Sequence, residues 1–563
     1  MRECERADAL HRARHRHRHN AVRQELGACQ RTSHVMGNRR LIIAVVVAAA
    51  LGSAGPANAS VQATAGPTIT YVDCSAAHNG NGSIRSPLNS LAAANARWLH
   101  PGDQMLFRRT TVCTGMYSPR GGGTLAAPVT IGPYGVGPDG ALDQPRIDAA
   151  GQSDQALYLH DISNIVVQGL HFTNVGNQSG VYRGVYVAAE NRLVHDVTLS
   201  RLTVTDVTSS TEFNDHGKAG GGIILQVLGA SPARFAHITI GRNEIFNVGR
   251  SGIFVLGIKN ASGAPRPPAS QPWPAASTGI LIRNNRVQHI TGDGIVTDAT
   301  QHTVISHNMV SDGNLSGSNF ADPQTRNCSA GIWAFNANNT MIDHNWVENM
   351  NFGKSDNDGC DGTAFDVDYN QDGTVIQDNF SNNNRGGFLL LCSDDQPRHA
   401  IVRYNISIDD GPTISEVPCK APSAIGGLDG VQVYNNTIVG FPETSAENVP
   451  LPALYGTEGF LFENNILYAR DLEAGPFACG GTCSNNLFYQ LPPAGRAAIF
   501  KDPQFRVYPA FGQIGPWDAD EVQLLPSSPA LHAGVAVPGA PAHDYFGDPI
   551  AAGAPPSIGA AEQ

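Results

Sequence analysis

Three short runs, TVISHN (303–308), TMIDHN (340–345) and TVIQDN (374–379), share one pattern, a strand-like stretch that ends in Asn. The pattern recurs, and its final residue is Asn243, Asn285, Asn308, Asn345, Asn379, Asn405, Asn436, Asn465 and Asn486. Spacings of 21 to 42 residues between successive Asn residues are typical of coils in a solenoid. Asn tolerates the left-handed backbone of a tight turn, and stacked Asn amides bond to one another. The sequence therefore predicts an all-β solenoid with an asparagine ladder.

A second set of runs opens with Gly and then alternates: SGIFVLG, DGIVTDA, AGIWAFN, DGTAFDV and GGFLLLC. We align them on Gly252, Gly294, Gly331, Gly362 and Gly387. Side chains alternate along a strand, so the first and third residues after each Gly should point inward. The second and fourth should point outward, and they are Phe254/Leu256, Val296/Asp298, Trp333/Phe335, Ala364/Asp366 and Leu389/Leu391.

The remaining segments divide the chain. Residues 36–59 have the anatomy of a secretory signal peptide, with a basic start, an apolar run at 41–51 and small residues at the end. Residues 1–35 are interpreted as an extended or wrongly assigned start. We expect a lead-in and N-terminal cap at 60–124, coils at 125–500 and a closing segment at 501–563. Polar insertions at 209–220, 260–279, 316–330 and 352–362 are predicted to build a binding wall.

The net charge of the chain indicates which kinds of partner it can bind. The chain has 37 basic and 49 acidic residues, and loss of residues 1–59 would leave 27 basic and 45 acidic residues, a net charge near −18. Such an acidic protein is an improbable partner of nucleic acid. The apolar run at 41–51 is too short to span a bilayer. We therefore expect a secreted monomer, extracellular or periplasmic, with no membrane partner.

Eight Cys residues would remain after removal of residues 1–59, and an even count in an exported protein suggests disulfides. Sequence order suggests the pairs Cys74–Cys113, Cys328–Cys360, Cys392–Cys419 and Cys479–Cys483, although sequence alone does not determine the connectivity. The zinc alternative needs two close Cys or His pairs, and CGGTC (479–483) alone has such spacing. The coil histidines at 237, 289, 307 and 344 have spacings that predict no metal triad.

The coils and the Asn repeat, together with YVDCSAAHNGNG (71–82) and PGDQMLF (101–107) near the start and SPALHAG (528–534) and DYFGDP (544–549) near the end, resemble the PbH1-type right-handed parallel β-helix proteins of the pectate-lyase-like superfamily. The resemblance covers nearly all of the chain after residue 59. It implies that fold, with the short N-terminal cap and C-terminal closing segment. It also implies a polysaccharide-active secreted enzyme, although the superfamily includes tailspikes and adhesins. Residues 362–392 are also similar to β-helical glycoside hydrolases of fucosidase and xylanase types. One fold hosts many chemistries, so the reaction depends on the site.

Outward-facing carboxylates are the candidate catalytic residues, with Asp366 first, Asp368 second, and then Asp394 and Asp298. Two coils separate Asp298 from Asp366 by about 10 Å, near the upper end of the roughly 6.5–9.5 Å window of inverting glycosidases. Asp366 and Asp368 share one strand face, about 6.7 Å apart at the backbone. Asp is disfavoured within strands, whereas an Asp at a coil corner often only caps a turn, which is the alternative for each.

Trp333 and Phe335 are unexpected on an outward strand face. Aromatic rings beside carboxylates suit a sugar, whose C–H face packs on the ring while acids act on the glycosidic oxygen. The alternative for Trp333 is burial beneath the insertion at 352–362. Arg385 and Lys354 are candidate cationic substrate-binding residues.

The run DNDGCDG (356–362) offers Asp356, Asp358 and Asp361 to a calcium ion, and the alternative is a solvated loop held by a disulfide. The sequence thus favours a secreted glycoside hydrolase that acts on a polysaccharide or oligosaccharide and requires no cofactor. One alternative is a calcium-assisted polysaccharide lyase, whose substrate-neutralising cation would come from Lys354, Arg385, Arg326 or Lys420. Another is a non-catalytic carbohydrate-binding or adhesin β-helix.

Overall fold

The computed structural model describes most of the chain beyond residue 65. The described residues are 66–137, 140, 142–177, 179–210, 218–258, 276–315, 328–351, 361–368, 370–392, 397–411, 414–417, 428–441, 460–469, 477, 481–509, 518–551 and 553–562. Asp394, Lys354, Asp356, Asp358, Arg326, Lys420, Cys360, Cys419 and Cys479 lie outside them, as does the predicted signal peptide.

The described strands form three long parallel sheets and one short pair. The first sheet contains β1 (Ile69–Val72), β3 (Gln104–Arg108), β6 (Val129–Tyr134), β9 (Ile165–Gln168), β12 (Leu193–Ser200), β15 (Arg234–Gly241), β18 (Ser277–Arg283), β21 (Thr300–Gln301), β22 (Val304–Ser306), β25 (Met341–Asp343), β28 (Val375–Gln377), β31 (Ile401–Arg403), β34 (Gln432–Tyr434), β36 (Leu461–Glu463) and β38 (Thr482–Ser484). The short pair is β2 (Trp98–Leu99) with β5 (Arg120–Gly121).

The second sheet contains β4 (Val112–Thr114), β7 (Arg146–Asp148), β10 (His171–Asn174), β13 (Thr203–Val207), β16 (Glu244–Val248), β19 (Arg286–Ile290), β23 (Met309–Gly313), β26 (Trp346–Met350), β29 (Phe380–Asn382), β32 (Ile406–Ile408), β35 (Thr437–Phe441), β37 (Ile466–Ala469), β39 (Leu487–Tyr489) and β40 (Ile499–Phe500). The third contains β8 (Gln155–His160), β11 (Arg183–Ala189), β14 (Gly221–Val227), β17 (Ser251–Leu256), β20 (Ile295–Asp298), β24 (Ile332–Phe335), β27 (Thr363–Val367), β30 (Gly387–Cys392) and β33 (Ile414–Val417).

Each full coil contributes one strand to each long sheet, and neighbours in a sheet come from successive coils. This is the predicted right-handed parallel β-helix. Its interior is a continuous apolar core with side chains from all three sheets, such as Ile332, Ile342 and Val347 from a single coil. The helical segments with described bounds are α1 (Leu91–Asn95), which Ser90 caps, and a 3-10 turn at Ala519–Val522. The search for a membrane-crossing helix in this described part found no candidate.

The asparagine ladder is confirmed at all nine predicted positions. In the middle of the ladder, the side-chain oxygen of Asn379 accepts from the backbone N–H (2.8 Å) and from Nδ2 (3.0 Å) of Asn345. Nδ2 of Asn379 donates to the carbonyl of Ile342 and to Oδ1 of Asn405, each at 2.9 Å. The same bonds link Asn243 through Asn486. The ladder therefore satisfies buried backbone groups at the corner between the first and second sheets.

The left-handed backbone lies one residue earlier than predicted. The ladder Asn residues do not have positive φ; instead the preceding residue does, as in His307 (φ 55°), His344 (54°) and Asp378 (54°). A side chain in the left-handed region costs energy for most L-residues, and Asn, Asp and His are among the types enriched there. The ladder position is therefore selected for hydrogen bonding, and the residue before it for the turn.

The predicted alignment of the Gly-initiated strands is correct for three strands and wrong for two. Gly252, Gly294 and Gly331 stack, and an added Cβ on Gly331 would meet Cγ1 of Val347 at 2.4 Å. The next residue in this stack is Ala364, whose carbonyl faces Gly331, and not Gly362, which has φ 75° in the preceding turn. Ala364 is thus in the core, contrary to prediction.

The shift moves the outward positions of the last two strands. Asp366 pairs with Trp333 on one side and Leu390 on the other. Leu389 and Leu391, which were expected to point outward, lie in the core. The outward orientation of Trp333, Phe335, Asp298 and Asp366 is unchanged, because the error is two residues in β27 and alternation has a period of two.

The C-terminal residues pack along the outside of the coils. Ile558 and Ala560 join a second apolar cluster with Ile406, Ile466 and Leu487 of the second sheet. The backbone N–H of Gly559 donates to the carbonyl of Asn464 at 2.7 Å.

Removal of one ladder side chain tests the predicted role of the ladder. Asn379→Ala leaves the buried N–H of Asn345 and carbonyl of Ile342 without their partners. We expect the free energy of unfolding to fall by about 2–4 kcal/mol, because each orphaned buried group costs about 1–3 kcal/mol. Denaturant unfolding measures the loss. The control, Asn191→Ala, removes an exposed side chain that bonds to Asp161 and should cost less than about 1 kcal/mol. Equal losses of unfolding free energy in the two variants would show that a ladder Asn stabilises the protein no more than an exposed Asn does.

Candidate active site

The outer face of the third sheet carries the candidate site. Two columns of outward residues run across the coils. The first contains Phe254, Val296, Trp333, Asp366 and Leu390. In the second, Leu256 pairs with Asp298 and Asp298 with Phe335, and continuation of the register places Asp368 beside Phe335. Asp298 and Asp366, which were predicted to occupy one column two coils apart, therefore lie in adjacent columns.

Asp366 and Asp368 form a close pair of carboxylates in this face. An oxygen of each lies within 4.8 Å of the other and of Sγ of Cys392. Asp366 is 3% exposed and Asp368 7% exposed. Oδ1 of Asp366 is buried without a hydrogen-bond partner among the described residues. Two buried carboxylates this close cannot both carry a charge at low cost, so the arrangement favours one shared proton.

The electrostatic interactions of the acids also favour one proton on the Asp366–Asp368 pair. Burial, followed by the charges of Asp368 and Asp361, raises the pKa of Asp366 well above its usual range, and Lys218 opposes the shift. Desolvation and the charge of Asp293 raise the pKa of Asp361 to about 6. Asp361 belongs to the predicted calcium cluster, whose other members lie outside the described residues. Raised pKa values in a cluster of acids are typical of general acids.

A buried ion pair lies beside the acids. Arg250 and Asp293 have fully buried side chains, and Nη1 of Arg250 donates to Oδ2 of Asp293 at 2.7 Å. Burial would raise the pKa of Asp293, but Lys218 and Arg250 outweigh it and hold that pKa below its usual value. Nε1 of Trp333 donates to Oδ1 of Asp293 at 3.0 Å. The ion pair therefore fixes the orientation of the Trp333 ring.

The aromatic platform is packed rather than open. The rings of Trp333 and Phe335 stack with centroids 4.9 Å apart, and the two residues are only 5% and 6% exposed. Nζ of Lys218 lies 4.1 Å from the Trp333 centroid and 5.5 Å from that of Phe335, and 3.8 Å from Asp293. Access of a sugar to these rings would require displacement of the ammonium group, which the rings hold by a cation–π interaction.

The other predicted residues lie at the edges of this arrangement. Asp298 is buried and accepts a hydrogen bond from Nδ2 of Asn336 at 2.9 Å. Arg385 is exposed, and its backbone N–H donates to the carbonyl of Met350 at the turn before β30. The structure therefore brings Asp366, Asp368 and Trp333 together, and places Asp298 in the column of Asp368, on the far side of Phe335.

The disulfides bear on metal binding. Cys74–Cys113 is present as predicted, and Cys328, Cys392 and Cys483 are also disulfide-bonded. Metal ligation requires a thiolate. Asp366, Asp368 and Cys392 are close enough to share an ion, but because Cys392 is oxidised the group does not fit a thiolate metal site. Its Sγ contacts Oδ1 of Asp368 at 3.0 Å and so packs one side of that carboxylate.

Sequence reasoning missed Lys218, Arg250 and Asp293. A signal was present, because Arg250 precedes Gly252 by two residues and Asp293 directly precedes Gly294, so opposite charges occupy the same corner of successive coils. Their separation of 43 residues is close to the 42 that separates Asn243 from Asn285. Charge at a corner otherwise occupied by small residues such as Ser329 and Ala330 could have indicated a buried pair.

Loss of the acid from the buried Arg250–Asp293 pair should destabilise the protein more than loss of an acid from a surface pair. Asp293→Ala leaves Arg250 and Lys218 without their carboxylate, and we expect the free energy of unfolding at pH 7 to fall by about 3–5 kcal/mol. Asp429→Ala is the control, since it removes an acid whose side chain is 58% exposed and lies 3.7 Å from the partly buried Arg398, and it should cost at most about 1 kcal/mol. Chemical denaturation measures both. A loss below about 1 kcal/mol for Asp293→Ala would contradict the assigned role.

Comparison with known proteins supports the fold. No family model matches the chain. The chain is 28% identical, over 513 aligned residues, to the lacto-N-biosidase of Bifidobacterium longum subsp. longum. That match covers 75% of this chain but only 30% of the relative, so the chain spans about a third of the relative's length.

Two solved structures are also similar to this chain. The native crystal structure of GH136 lacto-N-biosidase from Eubacterium ramulus aligns with a TM-score of 0.53 at 21% identity, over 77% of this chain and 65% of that one. Alginate lyase from Paenibacillus sp. str. FPU-7 aligns with a TM-score of 0.41 at 15% identity, over 63% of this chain and 99% of that one. The three long parallel sheets and the alignment with the Eubacterium ramulus enzyme together show that the chain has the right-handed parallel β-helix fold.

Proposed function

We propose that this protein is a glycoside hydrolase that cleaves an oligosaccharide or polysaccharide with Asp366 and Asp368. The observation that carries the proposal is the buried carboxylate pair on the third sheet, with oxygens within 4.8 Å of each other. The similarity to lacto-N-biosidase supports the same reaction class. Secretion fits the Cys74–Cys113 disulfide, because disulfides persist in oxidising compartments. The proposed reaction needs no cofactor.

The separation of the carboxylates favours retention of anomeric configuration. Retaining glycosidases place their two carboxyl groups about 5–5.5 Å apart, whereas inverting enzymes leave roughly 6.5–9.5 Å for a water molecule. In this mechanism protonated Asp366 donates its proton to the leaving glycosidic oxygen, and the Asp368 carboxylate attacks the anomeric carbon. A water molecule then attacks the glycosyl ester, with Asp366 as the base that accepts its proton.

The raised pKa of Asp366 supports its role as the acid. Burial, followed by the charges of Asp368 and Asp361, keeps Asp366 protonated at a pH where an ordinary Asp is ionised, because each raises the pKa of Asp366. Lys218 stands over the aromatic rings and interacts with the acid cluster, so its movement would change both the platform and the charge on the acids. The apolar rings and the acids together suit a neutral sugar at the reacting position.

Carboxylate-to-amide substitutions test the reaction. Asp366→Asn and Asp368→Asn should each lower hydrolysis by at least about 10²-fold, because each removes a group that transfers a proton or forms the intermediate. Release of reducing ends is measured on a panel of neutral and acidic glycans that includes a lacto-N-biosidase substrate. Product configuration is read by NMR before mutarotation, and retention is expected.

Asp378→Asn is the matched control, because Asp378 is another buried acid but lies at the ladder corner, and its activity should stay within about twofold of the unmodified protein. Full activity in Asp366→Asn would overturn the site. Ultraviolet absorbance from an unsaturated uronate would instead establish the lyase alternative. Binding without turnover would establish the carbohydrate-binding alternative.

A pH profile tests the coupling among the acids. The Asp361 charge helps to raise the pKa of Asp366, so Asp361→Asn should lower that pKa. The alkaline limb of kcat/KM, where the acid loses its proton, should then move to lower pH. An unchanged alkaline limb would show that Asp366 is not the acid. Loss of activity in Asp361→Asn with retention in Asp366→Asn would assign that role to Asp361.

A further inference from the structure

The corner that carries the asparagine ladder also brings together three side chains that can bind a metal ion. His307, Asp343 and His344 each have a ligand atom within 4.8 Å of those of the other two. His307 and His344 precede Asn308 and Asn345, and the 37-residue step between those ladder Asn residues places the two histidines on adjacent coils. The spacing that predicts no metal triad along the sequence therefore produces a cluster in the fold.

The two rings lie against each other on adjacent coils. The imidazole rings of His307 and His344 are parallel to within 2°, with centroids 4.8 Å apart. An imidazole binds a metal ion in its own plane, so ligation of one ion by both residues requires the two rings to rotate toward a common point. Nδ1 of His344 already lies 2.9 Å from Oδ2 of Asp343. Metal–ligand bonds to His and Asp are about 2.0–2.2 Å, so the three donor atoms, which lie within 4.8 Å of one another, can share an ion once side-chain rotation brings them to about 3.5 Å apart.

A second observation points to a missing cation. Asp378 occupies the turn position of the next coil, directly after His307 and His344 in the same column, and is 8% exposed. Its Oδ1 is buried without a hydrogen-bond partner among the described residues, and so is Oδ1 of Asp343. A buried carboxylate oxygen without a donor is costly, and a bound cation would satisfy it.

The surrounding charges are also suitable. Asp343, Asp378 and Asp544 of the C-terminal residues interact electrostatically at this corner, where Arg403 and the protonated form of His344 provide positive charge. Two neutral imidazoles and carboxylate oxygens are ligands that suit Zn²⁺, whereas Ca²⁺ and Mg²⁺ prefer oxygen ligands alone.

We propose that His307, Asp343 and His344 bind one Zn²⁺-like divalent transition-metal ion that links successive coils at the ladder corner, with Asp378 as an additional carboxylate beside it. The ion would connect residues from adjacent coils by bonds that do not depend on the backbone ladder. Its expected effect is therefore on stability, since the candidate active site lies on the outer face of a different sheet.

The test is a metal titration of the metal-stripped full chain, prepared without an affinity tag, with ZnCl2 by calorimetry and with Co²⁺ by visible absorption. His307→Asn and His344→Asn are the variants, because Asn keeps the left-handed turn and stands at the same position as Asn284 and Asn435. The matched control is His399→Asn, which removes a His with φ 51° that pairs with a single Asp, Asp372, at 2.8 Å.

We expect the unmodified chain and His399→Asn to bind one more equivalent of Zn²⁺ than the two other variants, or to bind it at least tenfold more tightly. Their Tm should rise with Zn²⁺ by several degrees, while the two variants should not respond. The His-rich run at 11–20 is common to all four proteins, so the difference between them isolates the corner site. Equal Zn²⁺ binding in all four proteins, or equal response to Ca²⁺, would overturn the proposal.

Discussion

The hydrogen bonds of the asparagine ladder set the register on which the rest of the structure depends. Each ladder oxygen from Asn285 onward accepts from both the backbone and the side chain of the Asn one coil earlier, as Asn379 does from Asn345. A coil displaced by one residue would lose both bonds and would turn its core side chains outward. Because loops of different length return to the same ladder position, the spacing along the chain varies while the columns across the sheets remain aligned.

This constraint explains how much the sequence could predict. The ladder is visible because hydrogen bonding demands Asn at one position per coil, and alternation then assigns Trp333 and Asp366 to the outer face. The alignment at β27 was wrong because Gly has two roles here. Gly331 is required where a Cβ would strike Val347, whereas Gly362 is required for a left-handed turn. Sequence shows the residue type but not which of the two constraints selects it.

The burial of Arg250 and Asp293 could not be predicted from local sequence patterns. Burial of Arg250 and Asp293 is expensive, and it is tolerated because each neutralises the other and Lys218 adds a second cation. None of these partners is near another in sequence, and local patterns carry no information on their distance. The outcome is functional as well as structural, since Asp293 also holds the indole N–H of Trp333. A replacement of this pair by apolar residues would keep the corner packed but would release the ring.

The same cross-coil geometry accounts for the chemistry of the carboxylate pair. Asp366 lies in β27 and Asp368 directly follows its last residue, Val367, so the extended backbone directs both carboxylates to the same side. Sγ of Cys392 contacts the carboxylate of Asp368, and the charge of Lys218 acts on Asp366. One proton between two acids relieves the repulsion and leaves a single negative charge for the cation to balance. A site of this kind holds an acid and a carboxylate together at neutral pH, which is the combination that cleavage of a glycosidic bond requires.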